Sequence, residues 1–137
     1  MDFTDKARKI FCNDRFATEA TGIVIDFLDD QKAVCSLTLD SRHCNARGVA
    51  MGGAIYTLAD FASAVAANRD FLDRSPLPWV SLDSSVHYLS PAVERQQLVA
   101  TCTALKHGRS TALYQIIIEC PDSGKRVAVV ETTMICV

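Results

Sequence analysis

The alternation of apolar and polar positions divides this chain into one long greasy helix and a series of strands. Phe3, Ala7, Ile10 and Phe11 recur at helical spacing, so residues 4–13 are expected to form a short amphipathic helix against the core. Ala20–Leu28 and Ala33–Leu39 read as two strands joined by the polar turn Asp29-Asp30-Gln31-Lys32. In the second, Ala33, Cys35, Leu37 and Leu39 alternate with Val34, Ser36 and Thr38, as a strand with one buried face requires. From Gly52 to about Asn68 alanine-rich helix formers replace the β-branched pattern and two glycines open the run, which predicts the main helix. Arg74-Ser75-Pro76-Leu77-Pro78 breaks the chain, and further strands are expected at 79–89, 97–106, 111–119 and 126–136. The links between these strands, centred on Ser90-Pro91-Ala92, Lys106–Ser110 and Pro121–Lys125, are short enough for antiparallel neighbours. A long apolar helix among about six antiparallel strands is hidden only if the sheet curls around it, which makes the fold α+β.

Within that helix the sequence places a single charge. From Ala54 to Ala67 the only ionisable side chain is Asp60, accompanied by Thr57 and Ser63. A helix apolar nearly all round is a buried one, so Thr57, Asp60 and Ser63 are expected to form a narrow polar stripe on it. Asp60 lies about two turns from the helix start, beyond the first turn in which the macrodipole favours a carboxylate. It is therefore either paired with a cation elsewhere or functional. Gly52-Gly53 at the helix start leaves backbone N–H groups open to a ligand carrying partial negative charge. Gly53 and Asp60 share nearly one helix face but stand about 10 Å apart along the axis. One reaction centre cannot touch both, so their cooperation requires a second copy, with two such helices antiparallel about a two-fold axis.

Composition removes several alternatives. At 137 residues, 49% hydrophobic and 22% charged, the chain suits a single globular domain spanning 1–137. A net charge of −2 provides no broad attraction to nucleic acid or to an anionic membrane, so neither is expected as a partner. The acidic start Met1-Asp2-Phe3-Thr4-Asp5 precedes no compact apolar run and does not read as a secretory signal, which leaves a cytoplasmic location as the expectation. Gly48–Ala67 barely reaches membrane-spanning length and carries Asp60 within it. The six cysteines form no C-x-x-C pair and are expected to stay reduced. His43, His87 and His107 lack metal-ligand spacing, no G-x-S-x-G elbow is present, and Cys44 reads as a small loop side chain.

The run His43-Cys44-Asn45-Ala46-Arg47-Gly48-Val49-Ala50-Met51-Gly52-Gly53, continued by Leu58-Ala59-Asp60, resembles the H-x-N-x-x-G-x-x-H-G-G-x-x-x-x-L-A-D signature of hotdog-fold acyl-CoA thioesterases of the phenylacetate-degradation type. Val80–Ala92 and Gly108-Arg109-Ser110 look like later segments of that family. The resemblance implies a hotdog fold, with a curved sheet of about six strands wrapped around one central helix, and a dimer or dimer of dimers. It implies that Asp60 activates water or attacks the thioester itself, and the sequence does not choose between these. By the same resemblance the Gly53 N–H polarises the thioester oxygen, Asn45 adds a polar contact and Ser81 orients the attacking water. His43, Met51, Gly52 and Thr57 are expected to line the substrate site. Met51 stands where the family has histidine, which removes a hydrogen-bonding group beside the thioester.

Lys106, Gly108, Arg109 and Ser110 offer cations and donors on one turn and are expected to meet the phosphates of coenzyme A. No metal and no cofactor is expected, coenzyme A being part of the substrate. The alternative to an enzyme is a non-catalytic hotdog module that binds acyl-CoA or another apolar ligand. A hotdog dehydratase is disfavoured because the helix offers Asp60 without a histidine partner.

Overall fold

The central helix expected at Gly52 is present as α2 (Gly52–Ala67) in a computed structural model that describes residues 2–137. Met1, the first residue of the acidic start, lies outside the described residues. The strands are β1 (Val24–Leu28), β2 (Lys32–Thr38), β3 (Trp79–Tyr88), β4 (Gln97–His107), β5 (Thr111–Cys120) and β6 (Lys125–Cys136). They form one antiparallel sheet in the order β1-β2-β4-β5-β6-β3, and α2 touches all six. This is the hotdog architecture. Leu58 and Val65 of α2 meet an inner face that includes Leu37, Leu98, Ile116 and Val130, all fully buried. Each such side chain stabilises the fold by about 1.5–3 kcal/mol relative to exposure.

Helix α1 (Phe3–Phe11) begins where the Asp2 carboxylate accepts from the Asp5 N–H at 2.9 Å, and it buries Ala7 and Phe11. The Phe11 ring meets Phe61 of α2 edge-on, with centroids 5.7 Å apart. On its other side α1 covers the outer edge of β1. The Leu28 N–H donates to the Thr4 hydroxyl at 2.9 Å, and Arg8 Nε donates to the Ile25 carbonyl at 2.9 Å.

Two expectations are corrected. Residues 20–23 do not extend β1. Phe16–Thr21 forms a short π-helical turn ended by Gly22, whose φ of 90° is the left-handed conformation that lets a helix stop. Helix formers Ala17, Glu19 and Ala20 before a glycine signal this ending, but six residues are too few for a periodic pattern. The second correction concerns the link after β3, which does not join neighbours. β3 lies at the sheet edge against β6, while β4 lies between β2 and β5. The intervening segment instead crosses the mouth of α2, where the Ala92 carbonyl accepts from Ala50 N–H at 2.8 Å and the Gln96 carbonyl from Leu39 N–H at 2.9 Å.

Candidate active site

Helix α2 buries Ile55, Leu58, Ala59, Phe61, Ala62 and Val65 but leaves a line of Gly53, Thr57, Asp60 and Ala64 only partly covered. Steps of four, three and four residues keep these within a narrow arc of a 3.6-residue helix. Ser63 departs from the expected polar stripe. Each step of three falls about 60° short of a full turn, so two of them carry Ser63 round into the core, where its hydroxyl donates to the Asp60 carbonyl at 2.7 Å. The Thr57 hydroxyl donates to the Gly53 carbonyl at 2.8 Å, which leaves its lone pairs toward the open line.

Asp60 is half-buried and forms no salt bridge among the described residues. The Ser81 hydroxyl of β3 donates to its Oδ1 at 3.4 Å. Burial raises the Asp60 pKa and the Ser81 bond lowers it. Ser81 reaches the carboxylate because β3 carries a bulge between Ser81 and Asp83. In a regular strand Ser81 and Ser84 would point to opposite faces, being an odd number of residues apart. The extra residue, Leu82, brings both to the inner face, opposite Met134 and Thr132 of β6.

Asp60 and Thr57 line a cavity of about 310 Å³ whose far wall is Asp14, Arg15 and Phe16, at the entrance to the π-helical turn. Asp14 was invisible to sequence reasoning because nothing in its local pattern says that the turn folds back onto α2. Its carboxyl is raised by burial and, secondarily, by the Asp60 charge. Arg15 is drawn away into a pair with Glu19.

Phe16, 70% exposed, and Thr57 also line a second cavity, of about 410 Å³, around Gly53, Met51 and His43. The two hollows thus form one groove along the open line of α2. Gly53 and Gly52 differ sharply within it. A Cβ on Gly53 would meet nothing within 4 Å, so that backbone is open, whereas a Cβ on Gly52 would stand 3.0 Å from the Tyr88 ring. The Gly52 carbonyl accepts from the Tyr88 hydroxyl at 3.0 Å. Met51 is 54% exposed at the rim.

His43 and Asn45 both make local bonds that shape the loop before α2. His43 is buried. Its Nδ1 accepts from the Asp40 N–H at 2.9 Å, so Nε2 carries the proton that it donates to the Thr21 carbonyl at 2.7 Å. The Nε2 bond ties the π-helical turn to this loop, while the Nδ1 bond closes the turn at Ser41–His43. Asp40 is held down to about 2 by its bonds to Arg42, whose guanidinium also donates to the Ala20 carbonyl at 3.1 Å. Asn45 Oδ1 accepts from Arg47 N–H at 2.9 Å and Val49 N–H at 3.3 Å, closing the loop that precedes α2.

Lys106, Gly108, Arg109 and Ser110 lie at the opposite end of α2 from Gly53, which at 16 residues is about 24 Å long. His107 of that turn packs at 4.7 Å on Trp79, which Asn68 at the helix C-terminus binds through both backbone groups. Within one chain, then, Asp60, Ser81 and Thr57 come together, Gly53, Met51 and His43 form a second group, and the basic turn stands apart from both.

The thioesterase superfamily model matches residues 47–132, a span that holds Gly53, Asp60, Ser81 and the basic turn. The chain belongs to the thioesterase superfamily. Mouse acyl-coenzyme A thioesterase 13 is 30% identical over 98 residues, covering 72% of this chain and 68% of the relative. The Escherichia coli acyl-coenzyme A thioesterase PaaI is 30% identical over 112 residues, covering 82% and 76%. The solved structure of the E. coli PaaI protein superimposes with a TM-score of 0.84 at 24% identity, covering 99% of this chain and 96% of that one. A Streptococcus pneumoniae thioesterase solved with coenzyme A superimposes with a TM-score of 0.80 at 22% identity, covering 93% and 96%. This thioesterase is a hotdog enzyme of the phenylacetate-degradation type, with acyl-CoA thioesterase activity at the level of the family.

Proposed function

We propose that this thioesterase hydrolyses an acyl-CoA to the free acid and CoA, with Asp60 as the reacting carboxylate and the Gly53 N–H of a second copy as the group that polarises the thioester carbonyl. The observation that carries the reading is Asp60 itself, half-buried, free of any cation among the described residues, and facing a groove with Ser81 on one oxygen. As a general base, Asp60 takes a proton from water while the oxygen adds to the thioester carbon. As a nucleophile, it forms an anhydride that water then opens. In both routes the carbonyl oxygen gains charge that a backbone N–H can bind, and the carbon–sulfur bond breaks to release CoA thiolate, which takes up a proton.

The chain's own Gly53 lies about 10 Å from Asp60 along α2, so the polarising amide has to come from a partner. Two features support a dimer: the open line of α2, and a β3 edge that exposes Val80, Leu82 and Tyr88 and has no strand beyond it among the described residues. Lys106, Gly108, Arg109 and Ser110 then serve the phosphates of CoA. Among the described residues neither Lys106 nor Arg109 is in an ion pair, and a CoA-bound neighbour of the same fold supports this ligand.

Asp60→Asn is expected to lower turnover roughly 10²–10⁴-fold while retaining acyl-CoA binding by calorimetry. Turnover within threefold of wild type would overturn the assignment. Wild-type inertness across short, medium and aromatic acyl-CoAs, with binding intact, would instead favour the non-catalytic module, a reading to which exposed Met51 beside Gly53 lends weight. Arg109→Ala is expected to raise KM severalfold with little change in kcat, and an unchanged KM would remove the basic turn from the CoA site.

A further inference from the structure

Three hydroxyl contacts tie α2 to β3: Tyr88 to the Gly52 carbonyl at 3.0 Å, Tyr56 to the Ser84 hydroxyl at 2.9 Å, and Ser81 to Asp60 at 3.4 Å. On the helix the tied residues are four apart, which keeps them on one side. On the strand the steps are four and then three, and the odd step is the one the bulge absorbs. Tyr56 and Asp60 are adjacent rungs, so whatever fixes Ser84 against Tyr56 also sets how far the bulge lets Ser81 lean toward Asp60.

Ser84 is itself anchored on its far side. Its hydroxyl lies 2.9 Å from that of Thr132, its register partner on β6, which is fully buried. The Tyr56 proton goes to Ser84, which leaves Ser84 free to donate onward to Thr132. By contrast, the Ser81 contact is long for a hydroxyl on a carboxylate, where about 2.5–2.7 Å is usual, so a small shift of the strand makes or breaks it. Within the chain β3 is bonded to β6 alone, so its position there is set by β6 on one side and by the contacts from α2 across its inner face.

We infer that Tyr56 is a positioning residue for the thioesterase reaction, its hydroxyl holding Ser84 and the adjoining bulge so that Ser81 reaches Asp60. The inference rests on the reading of Asp60 as the reacting carboxylate. Satisfying a tyrosine hydroxyl is by itself an ordinary packing need. The test therefore reads Asp60 directly. The groups facing Asp60 are Ser81 from β3 and, across the cavity, Asp14 and Arg15, with Arg15 engaged by Glu19. Asp83 lies beyond the bulge, paired with Thr133 on the outer face of the sheet.

Carbon-13 NMR of the Asp60 carboxyl should show its titration moving to higher pH in Ser81→Ala, which removes a donor to the charged form. Tyr56→Phe is expected to move it in the same direction, and Tyr56→Phe in the Ser81→Ala background to move it no further. In steady-state assays Tyr56→Phe should lower kcat roughly three- to tenfold with KM within twofold, and lose its effect once Ser81 is alanine. Ser84→Ala, which leaves Tyr56 intact, should reproduce Tyr56→Phe and serves in its place if that variant does not fold. An Asp60 titration unmoved by both variants, or kcat losses that multiply with that of Ser81→Ala, would overturn the inference. The NMR result stands apart from catalysis. If Asp60→Asn still hydrolyses, the catalytic reading falls while the titrations still decide whether Tyr56 acts through Ser81.

Discussion

Asp60 titrates under two opposing influences, burial lifting its pKa and the Ser81 hydroxyl lowering it, with burial the larger. A carboxylate that works as base or nucleophile is active when ionised. The acid limb of kcat/KM is therefore expected above the ordinary aspartate value of about 3.9, and to move higher still in Ser81→Ala. The same shift acts on stability. Because the folded-state pKa lies above the unfolded one, the folded chain holds more protons between the two values, and stability falls as pH rises through that window. Asp60→Asn should thus raise the melting temperature at pH 7, and the gain should shrink as the pH falls through the folded-state pKa and be gone below the ordinary aspartate value. A uniform gain at every pH would show that ionisation is not its cause. At this scale Asp60 and Gly53 were legible because one charge in an apolar helix and a glycine pair at its start are conspicuous without any fold. The closure of His43 on Asp40 and Thr21 was not, since it depends on where the π-helical turn comes to rest.

The two glycines that open α2 belong to different contacts, and substitution should separate them. Gly52→Ala pushes aside the Tyr88 ring and gives up its bond to the Gly52 carbonyl, a loss of about 1 kcal/mol offset in part by alanine's helix propensity. Gly53→Ala meets open space within the chain, so thermal unfolding should show no loss and a gain of up to about 1 kcal/mol, while its methyl crowds the amide and lowers turnover. Loss of stability in Gly53→Ala with full turnover would contradict both halves. Elements with a sustained period were readable: α2 and β3 to β6 fall within a residue or so of the expected bounds. The bulge in β3 was not, because Ser81-Leu82-Asp83 carries no proline or glycine to announce it, and its role in aiming Ser81 appears only when β6 fixes the register. The path of the link after β3 was hidden for a related reason. Its length permits a hairpin, and only the demand of Ala50 and Leu39 for backbone partners carries it across the helix mouth.

For the whole molecule, the proposed sharing of the site between copies would make activity depend on assembly. Sedimentation at micromolar concentration is expected to show a dimer or larger species, and specific activity should fall on dilution in step with dissociation. Activity that persists in a demonstrated monomer would remove the shared site. No helix among the described residues is long and apolar enough to cross a membrane. The two margins of the sheet are finished differently. Along β1, the backbone groups of Leu28 and Ile25 that point away from β2 are already engaged by Thr4 and Arg8 of α1. A strand arriving from another molecule would therefore meet more open backbone at β3 than at β1, and two β3 margins zipped together would leave neither of them over. Growth through a β3–β3 seam would halt at a pair, with no second β3 margin left to carry it on into a fibre.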